Sequence, residues 1–448
     1  MHPILLLLPL ALAAADTAPV TLDEALAAAA KANVDLLLSA TDRDAAGVEA
    51  YASWAGILPR LDVQAVFENN FNSSGQTLTI TPVSLSPVQY EKIIVTTPSS
   101  DFENYTLVAQ LTIPIFDGFK SWANIERFKL LVRAADKQYD DAALNVAFDV
   151  TSRFYDLVRA ERSLKVLEEA VARSEVLVRR TDELYQAGRA PRSETYAAQV
   201  TLGNDRISAE QQRARVADAR VALSLALGRG ADPALEVVPP AGLDRTTFSE
   251  PLSQESLVDL AKRTRPLLAA NQQRILAAGQ EVRAAASGYW PSLQANASYG
   301  RQSPWLYGTY GVYGDFSQQF GVNVGVTLSW NIFEGRLTSA NVQRANVSER
   351  RAQLQAEQAL LQVTGQIARA RSSYLTLSVS ARLAEENLKA AEENLKLAER
   401  RYDAGAGTQV EVRDALLNLT RAQLTLLTTR IDAIIARADL NRAVGGVL

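Results

Sequence analysis

The sequence predicts an α+β membrane protein in which long coiled-coil-like helices and transmembrane β-strands recur in two internal repeats. Three observations predict it. Two runs, about 120–187 and about 337–404, contain no proline and space apolar residues at threes, fours and sevens. A pair of segments with strict apolar/polar alternation precedes each run. From Leu111 and Leu328 onward the two halves keep a constant offset of 217 residues to the C-terminus.

The helical runs come first in the argument. Each is about 68 residues, which is about 100 Å of helix at 1.5 Å per residue. Val347, Leu354 and Leu361 recur at seven, as do Leu388, Leu395 and Tyr402. Such a seam cannot be buried by one helix and requires neighbours along its length. Return helices follow at about 192–227 and 409–444. Shorter helices precede the strands: Thr21-Leu-Asp-Glu24 has capping-box form, and Pro59 closes that stretch as Pro291 closes its counterpart from Ser253.

Strands are expected at about 61–71, 104–116, 293–301 and 319–333. Leu61, Val63, Ala65 and Phe67 alternate with Asp62, Gln64 and Glu68; Val322, Val324, Val326 and Leu328 alternate with Asn323, Gly325 and Thr327. Small, polar, mostly uncharged opposite faces fit barrel strands with a wet lumen. The connecting segments differ: Asn72 to Asp101 reads as a Ser/Thr/Pro-rich loop, and Gln302 to Ser317 carries Trp305, Tyr307, Tyr310 and Tyr313 among glycines. Those aromatics fit an interfacial belt and equally a packed loop.

Composition excludes much. Lys plus Arg is 46 against 50 Asp plus Glu, so no nucleic-acid footprint exists. There is no Cys, and the one His is His2, so thiolate and imidazole chemistry are absent; no enzyme activity and no cofactor are expected. Residues 1–15 read as a signal peptide, an apolar run ending in Ala13-Ala14-Ala15, although its start lacks Lys and Arg. Residues 16–228 and 253–448 form the repeats, with 229–252 as connector.

Four strands cannot close a membrane barrel, because the smallest has about eight. An open sheet in lipid would leave unpaired edges. Several chains must share one barrel, and a polar interior suggests enough strands for a channel, hence three or more chains.

The doubled motifs LTIPIFDGFKSWAN (Leu111 to Asn124) and LSWNIFEGRLTSAN (Leu328 to Asn341), with the turns LYQAGRAPRSE (Leu184 to Glu194) and RYDAGAGTQVE (Arg401 to Glu411), resemble the TolC family of outer-membrane efflux proteins. The resemblance covers essentially the whole mature chain. It implies a homotrimeric α/β-barrel in the outer membrane of a Gram-negative bacterium, with twelve strands and a long periplasmic helical tunnel. It further implies a passive exit duct for a tripartite efflux or type I secretion system. The partners would be a periplasmic adaptor, an inner-membrane pump or ABC exporter, and outer-membrane lipid. Matched by motif, the periplasmic gate and entrance residues fall on Glu194, Tyr402, Glu411 and Asp414. The adaptor-contacting turns fall on Gly188, Arg189, Gly405 and Gly407. The family's gate arginine would stand two residues after Gly405, where this chain has Gly407; Arg192 and Arg413 are the nearest substitutes. Crowded carboxylates at such a mouth would favour cations, whereas first-turn acids also complement a helix dipole without any gate role. The alternative is an exported coiled-coil scaffold without transport activity, which accounts for the helices but not for four amphipathic strands.

Overall fold

The computed structural model describes residues 19–85, 87–243, 248–316 and 320–446. The expected signal segment 1–15 and position 319 of the expected last strand lie outside the described residues. The chain divides into two compact units: Met1–Ala46, Val132–Arg274 and Ala352–Leu448 form the first, and Gly47–Leu131 with Ile275–Arg351 form the second.

Helices α1 (Leu22–Ala32) and α2 (Val34–Ala52) lead into β1 (Arg60–Asn72), β2 (Gly75–Leu85), β3 (Val88–Thr97) and β4 (Ser100–Phe116). Then come α3 (Lys120–Gln186), α4 (Arg192–Ala226), α5 (Gln254–Thr264) and α6 (Pro266–Ala286). The chain ends with β5 (Ser292–Ser303), β6 (Phe320–Ser329), α7 (Leu337–Asp403) and α8 (Gln409–Val444). Helices α3 and α7 are 67 residues each. At α1, Thr21 accepts from the Glu24 amide while the Glu24 side chain accepts from the Thr21 amide, so both arms of the capping box form. Among the described residues, no helix is long and apolar enough to cross a membrane.

In the first unit the apolar seams find partners within the chain. Phe154, Leu157 and Val158 of α3 pack with Leu223 and Leu227 at the end of α4, Ile431 of α8, and Ala25 and Ala29 of α1. Val363, Ile367 and Tyr374 of α7 pack with Leu257 of α5 and Leu440 and Val444 of α8. Leu388, Leu395 and Tyr402, spaced at seven on α7, join Val412, Ala415 and Leu419 of α8, with Ala391 and Ala398 letting the two helices approach. Each large apolar side chain so buried contributes about 1.5–3 kcal/mol. Arg265, at the break between α5 and α6, is buried and sits 2.9 Å from Asp141 of α3. The pair is not aligned as a hydrogen bond, so the contact is ionic. The Arg265 guanidinium donates to the Arg442 carbonyl, Asn145 donates to Asp141 at 3.1 Å and Arg442 to Asn145 at 2.9 Å, which fastens the end of α8.

In the second unit a four-stranded antiparallel sheet has the order β1-β4-β5-β6. Its register sorts the faces. Leu61, Leu111, Ala297 and Val324 form one cross-strand row, and Val63, Ala109, Tyr299 and Val322 the next. The alternate row is Asp62, Gln110, Ser298 and Asn323. Every residue of β6 is exposed in the single chain, as are Leu61, Val63, Phe67 and Phe71 of β1.

Three local features differ from the sequence reading. The stretch Asn72 to Asp101 is not a plain loop: β2 and β3 pair as a separate two-stranded sheet, so the chain has six described strands rather than four. Strand β4 accordingly begins at Ser100, where it pairs with Asn72. Strand β6 ends at Ser329 rather than near 333, because its partner strand begins at Ser292 and the preceding Pro291 has no N–H to continue the ladder. The strand-to-helix junctions repeat: Phe119 and Arg336, at corresponding positions, both take positive φ, 68° and 71°. Asp117 accepts from the Ser121 amide at 2.8 Å and Glu334 from the Thr338 hydroxyl at 3.1 Å, so the acid of each DG/EG motif fastens the first helical turn.

Candidate functional site: the paired helical turns

Both turns joining a long helix to its return helix lie in the first unit. They end the long helices alike. The Gly188 amide donates to the Tyr185 carbonyl at 2.9 Å and the Arg189 amide to Leu184 at 2.8 Å; Gly405 and Ala406 repeat this to Tyr402 and Arg401 at 3.1 and 2.9 Å. This is the Schellman arrangement, with Gly188 and Gly405 both at φ 70°. Arg189 thus serves the turn through its backbone.

Return helices then start. Thr408 caps α8 by accepting from the Glu411 amide at 3.3 Å, while the residue before α4 is Pro191, whose fixed φ suits the approach to a first turn. Glu194 and Glu411 are first-turn acids. Asp414 is the sixth residue of α8 and therefore lies beyond the turn where the dipole acts most strongly.

Tyr402 and Glu194 lie within electrostatic reach of one another. The Gln409 side chain, itself buried, donates to the Glu194 carbonyl at 3.2 Å, so the start of α8 holds the start of α4. The half-buried Tyr402 ring lies under the Arg180 guanidinium at 5.2 Å, and Arg180 forms an ion pair with Asp403. Burial pushes the Tyr402 phenol up from the usual tyrosine range; the Glu194 charge pushes it the same way and the Arg180 cation pulls it back. Glu411 and Asp414 each pair with a cation: Arg401 lies 3.4 Å from Glu411, and Arg413 3.4 Å from Asp414. Among the described residues Glu194 has no ion-pair partner.

Gly407 sits where a Cβ would meet the Tyr402 amide nitrogen at 3.0 Å and Arg401 at 3.1 Å, so the turn as packed is tight for any side chain there. Neither substitute arginine stands over Tyr402. Arg192 stacks on Tyr185 and Tyr196, at 5.9 and 5.5 Å, and Arg413 is engaged with Asp414. The cation at Tyr402 is Arg180, which the motif reading missed, as it missed Asp403, Gln409 and Arg401. Only the doubled geometry of the turns could have hinted that Arg180 and Asp403, 223 positions apart, meet. Chemically the cluster is a clasp of one ion pair and one cation–π contact between the ends of α3 and α7, and one hydrogen bond between the starts of α8 and α4. It holds no nucleophile-and-base arrangement.

The outer membrane efflux protein family model matches residues 25–229 and 257–446. No curated protein matches this chain in sequence. Among solved structures, the chain resembles the Campylobacter jejuni CmeC outer membrane channel at 19% identity and a TM-score of 0.75, covering 95% of this chain and 85% of that one. The outer membrane protein VceC of Vibrio cholerae matches at 18% identity and a TM-score of 0.75, with coverage of 95% and 96%. The open-state Neisseria gonorrhoeae MtrE outer membrane channel matches at 19% and 0.74, with coverage of 95% and 89%. At such identities the likeness establishes a shared fold. With two matched segments that together span most of its length, this chain belongs to the outer membrane efflux protein family.

Proposed function

We propose that three copies of this chain form a passive outer-membrane exit duct for a tripartite efflux or type I secretion system. One observation carries the reading: apart from the stretch around Arg301, the apolar face of the four-stranded sheet is largely uncovered by the described residues, and the sheet has two edges, β1 and β6, without a partner strand among them. Neither survives in lipid unless other copies continue the sheet into a closed barrel. Three copies of four strands give twelve, enough for a channel lined by Asp62, Gln110, Ser298 and Asn323. The open seam Val347, Leu354 and Leu361 on α7, exposed in the single chain, supports the same assembly, because a neighbouring copy supplies the missing helix.

The paired turns are then the periplasmic entrance. Tyr402, Glu194, Arg180 and Asp403 hold it closed, Glu411 and Asp414 ring it, and the turns around Gly188, Arg189, Gly405 and Gly407 meet a periplasmic adaptor coupled to an inner-membrane pump or ABC exporter. The test is assembly and conduction. Light scattering in detergent should show a trimer, and planar bilayers should show discrete channels. A monomer, or trimers that never conduct, would sink the proposal.

A further inference from the structure

Among the described residues Arg301 is the largest fully buried side chain, 2% exposed, and its register is unexpected. It occupies the cross-strand row Ala65, Leu107, Arg301, Phe320, which belongs to the apolar face of the sheet. It also stands near the end of β5 that is not joined to a helix. On that face a bare guanidinium would meet lipid. Instead the segment 304–316 folds back over it. Arg301 donates to the carbonyls of Asp315 at 2.8 Å, Gly311 at 3.0 Å and Gly314 at 3.5 Å, and its guanidinium stacks on the Phe316 ring at 4.7 Å. The Tyr299 hydroxyl, in the next apolar row, donates to the Phe316 carbonyl at 3.4 Å. Val312 is buried beneath, and Trp305, Tyr307, Tyr310 and Tyr313 remain exposed. The loop is therefore not draped over the polar face. It is tied down on the apolar one.

We propose that residues 304–316 form a preformed aromatic foot, fastened by Arg301, that seats in the polar–apolar boundary of the outer lipid leaflet. The occupant follows from continuity: the foot extends the same face that presents Tyr299, Val322, Val324 and Leu328. Its exposed side chains are amphipathic rings, which favour that boundary over either water or hydrocarbon. An Arg costs little near the interface compared with the bilayer middle, and here both terminal guanidinium nitrogens donate to loop carbonyls. The inference rests on the exit-duct reading only for which face meets lipid.

The chain has no Cys, so single spin labels are clean. Labels at Tyr307→Cys, Val324→Cys and Ser73→Cys would be read in trimers reconstituted into phosphatidylethanolamine/phosphatidylglycerol vesicles. Relaxation by oxygen and by a water-soluble nickel chelate reports depth. The Tyr307 label should favour oxygen over nickel, at a depth shallower than Val324, while Ser73 should favour nickel. Adding Arg301→Gln should shift the Tyr307 label toward the Ser73 value without loss of trimer. Nickel dominance at Tyr307 with oxygen dominance at Val324 overturns the foot and leaves the duct standing. Protection from both reagents at Tyr307 means a protein copy covers the loop and also overturns the foot. Nickel dominance at Val324 overturns the face assignment itself.

Discussion

Tyr402 concentrates the electrostatics of the turns in one titration. Its phenol is raised above the ordinary tyrosine range by burial first and by the Glu194 charge second, against Arg180. A raised acid pKa means the folded state holds the proton harder. The associated stability is present below the unfolded tyrosine pKa and lost as pH rises through the folded one. Glu194→Gln removes a charge that opposes the phenolate, so the Tyr402 titration should move down; ultraviolet difference titration against Tyr402→Phe reads it. No movement would mean that the two side chains are not neighbours. Arg265 and Asp141 make the opposite case, a buried pair whose Arg is pulled down by burial and held up by Asp141. Asp141→Asn leaves a buried cation unpaired and should cost about 3–5 kcal/mol. Asp259→Asn, which breaks the exposed Lys262 pair, should cost no more than about 1 kcal/mol. Thermal unfolding followed by circular dichroism ranks the two, and equal losses would refute the distinction.

At the scale of elements, helices and strands were legible for different reasons. The long helices announce themselves because proline is missing over about 68 residues and the seam residues Leu388, Leu395 and Tyr402 repeat at seven; all three join one apolar cluster with α8. The four sheet strands announce themselves by period two. The hairpin of β2 and β3 does not, because Ser, Thr and Pro read as loop composition and a register shift lies between Pro82 and Ser84. The clasp at the turns was hidden for a physical reason as well: Arg180 meets Asp403 only through tertiary packing, and nothing in either local stretch marks the other. Face assignment is the testable part of the sheet. Val324 belongs to the apolar row and Asn323 to the polar one. Val324→Arg near the bilayer middle should cost about 2–4 kcal/mol and reduce trimer yield. Asn323→Arg should assemble normally and change conductance. Equal assembly defects would mean that the register is wrong.

At the scale of the whole assembly, the question is which carboxylates set the field at the proposed entrance. Crowded acids near one axis focus negative potential and favour cations, but the structure divides them. Glu411 faces Arg401 and Asp414 faces Arg413, each at 3.4 Å, so a neighbouring cation offsets part of each charge. Glu194 has no such partner among the described residues, and its charge reaches the Tyr402 phenol. In conducting trimers Glu194→Gln should therefore lower the cation-to-anion permeability ratio more than Glu411→Gln with Asp414→Asn combined. The difference should shrink as salt rises, since the Debye length falls from about 10 Å at 0.1 M to about 3 Å at 1 M. The fold should survive both changes, because a first-turn acid contributes only about 0.3–1 kcal/mol through the helix dipole, and Gln keeps the shape. If the double change moves the ratio and Glu194→Gln does not, the ion pairs to Arg401 and Arg413 are open in the trimer. If neither moves it, the selectivity is set elsewhere along the duct, and Glu194 and Glu411 act only as helix-start residues.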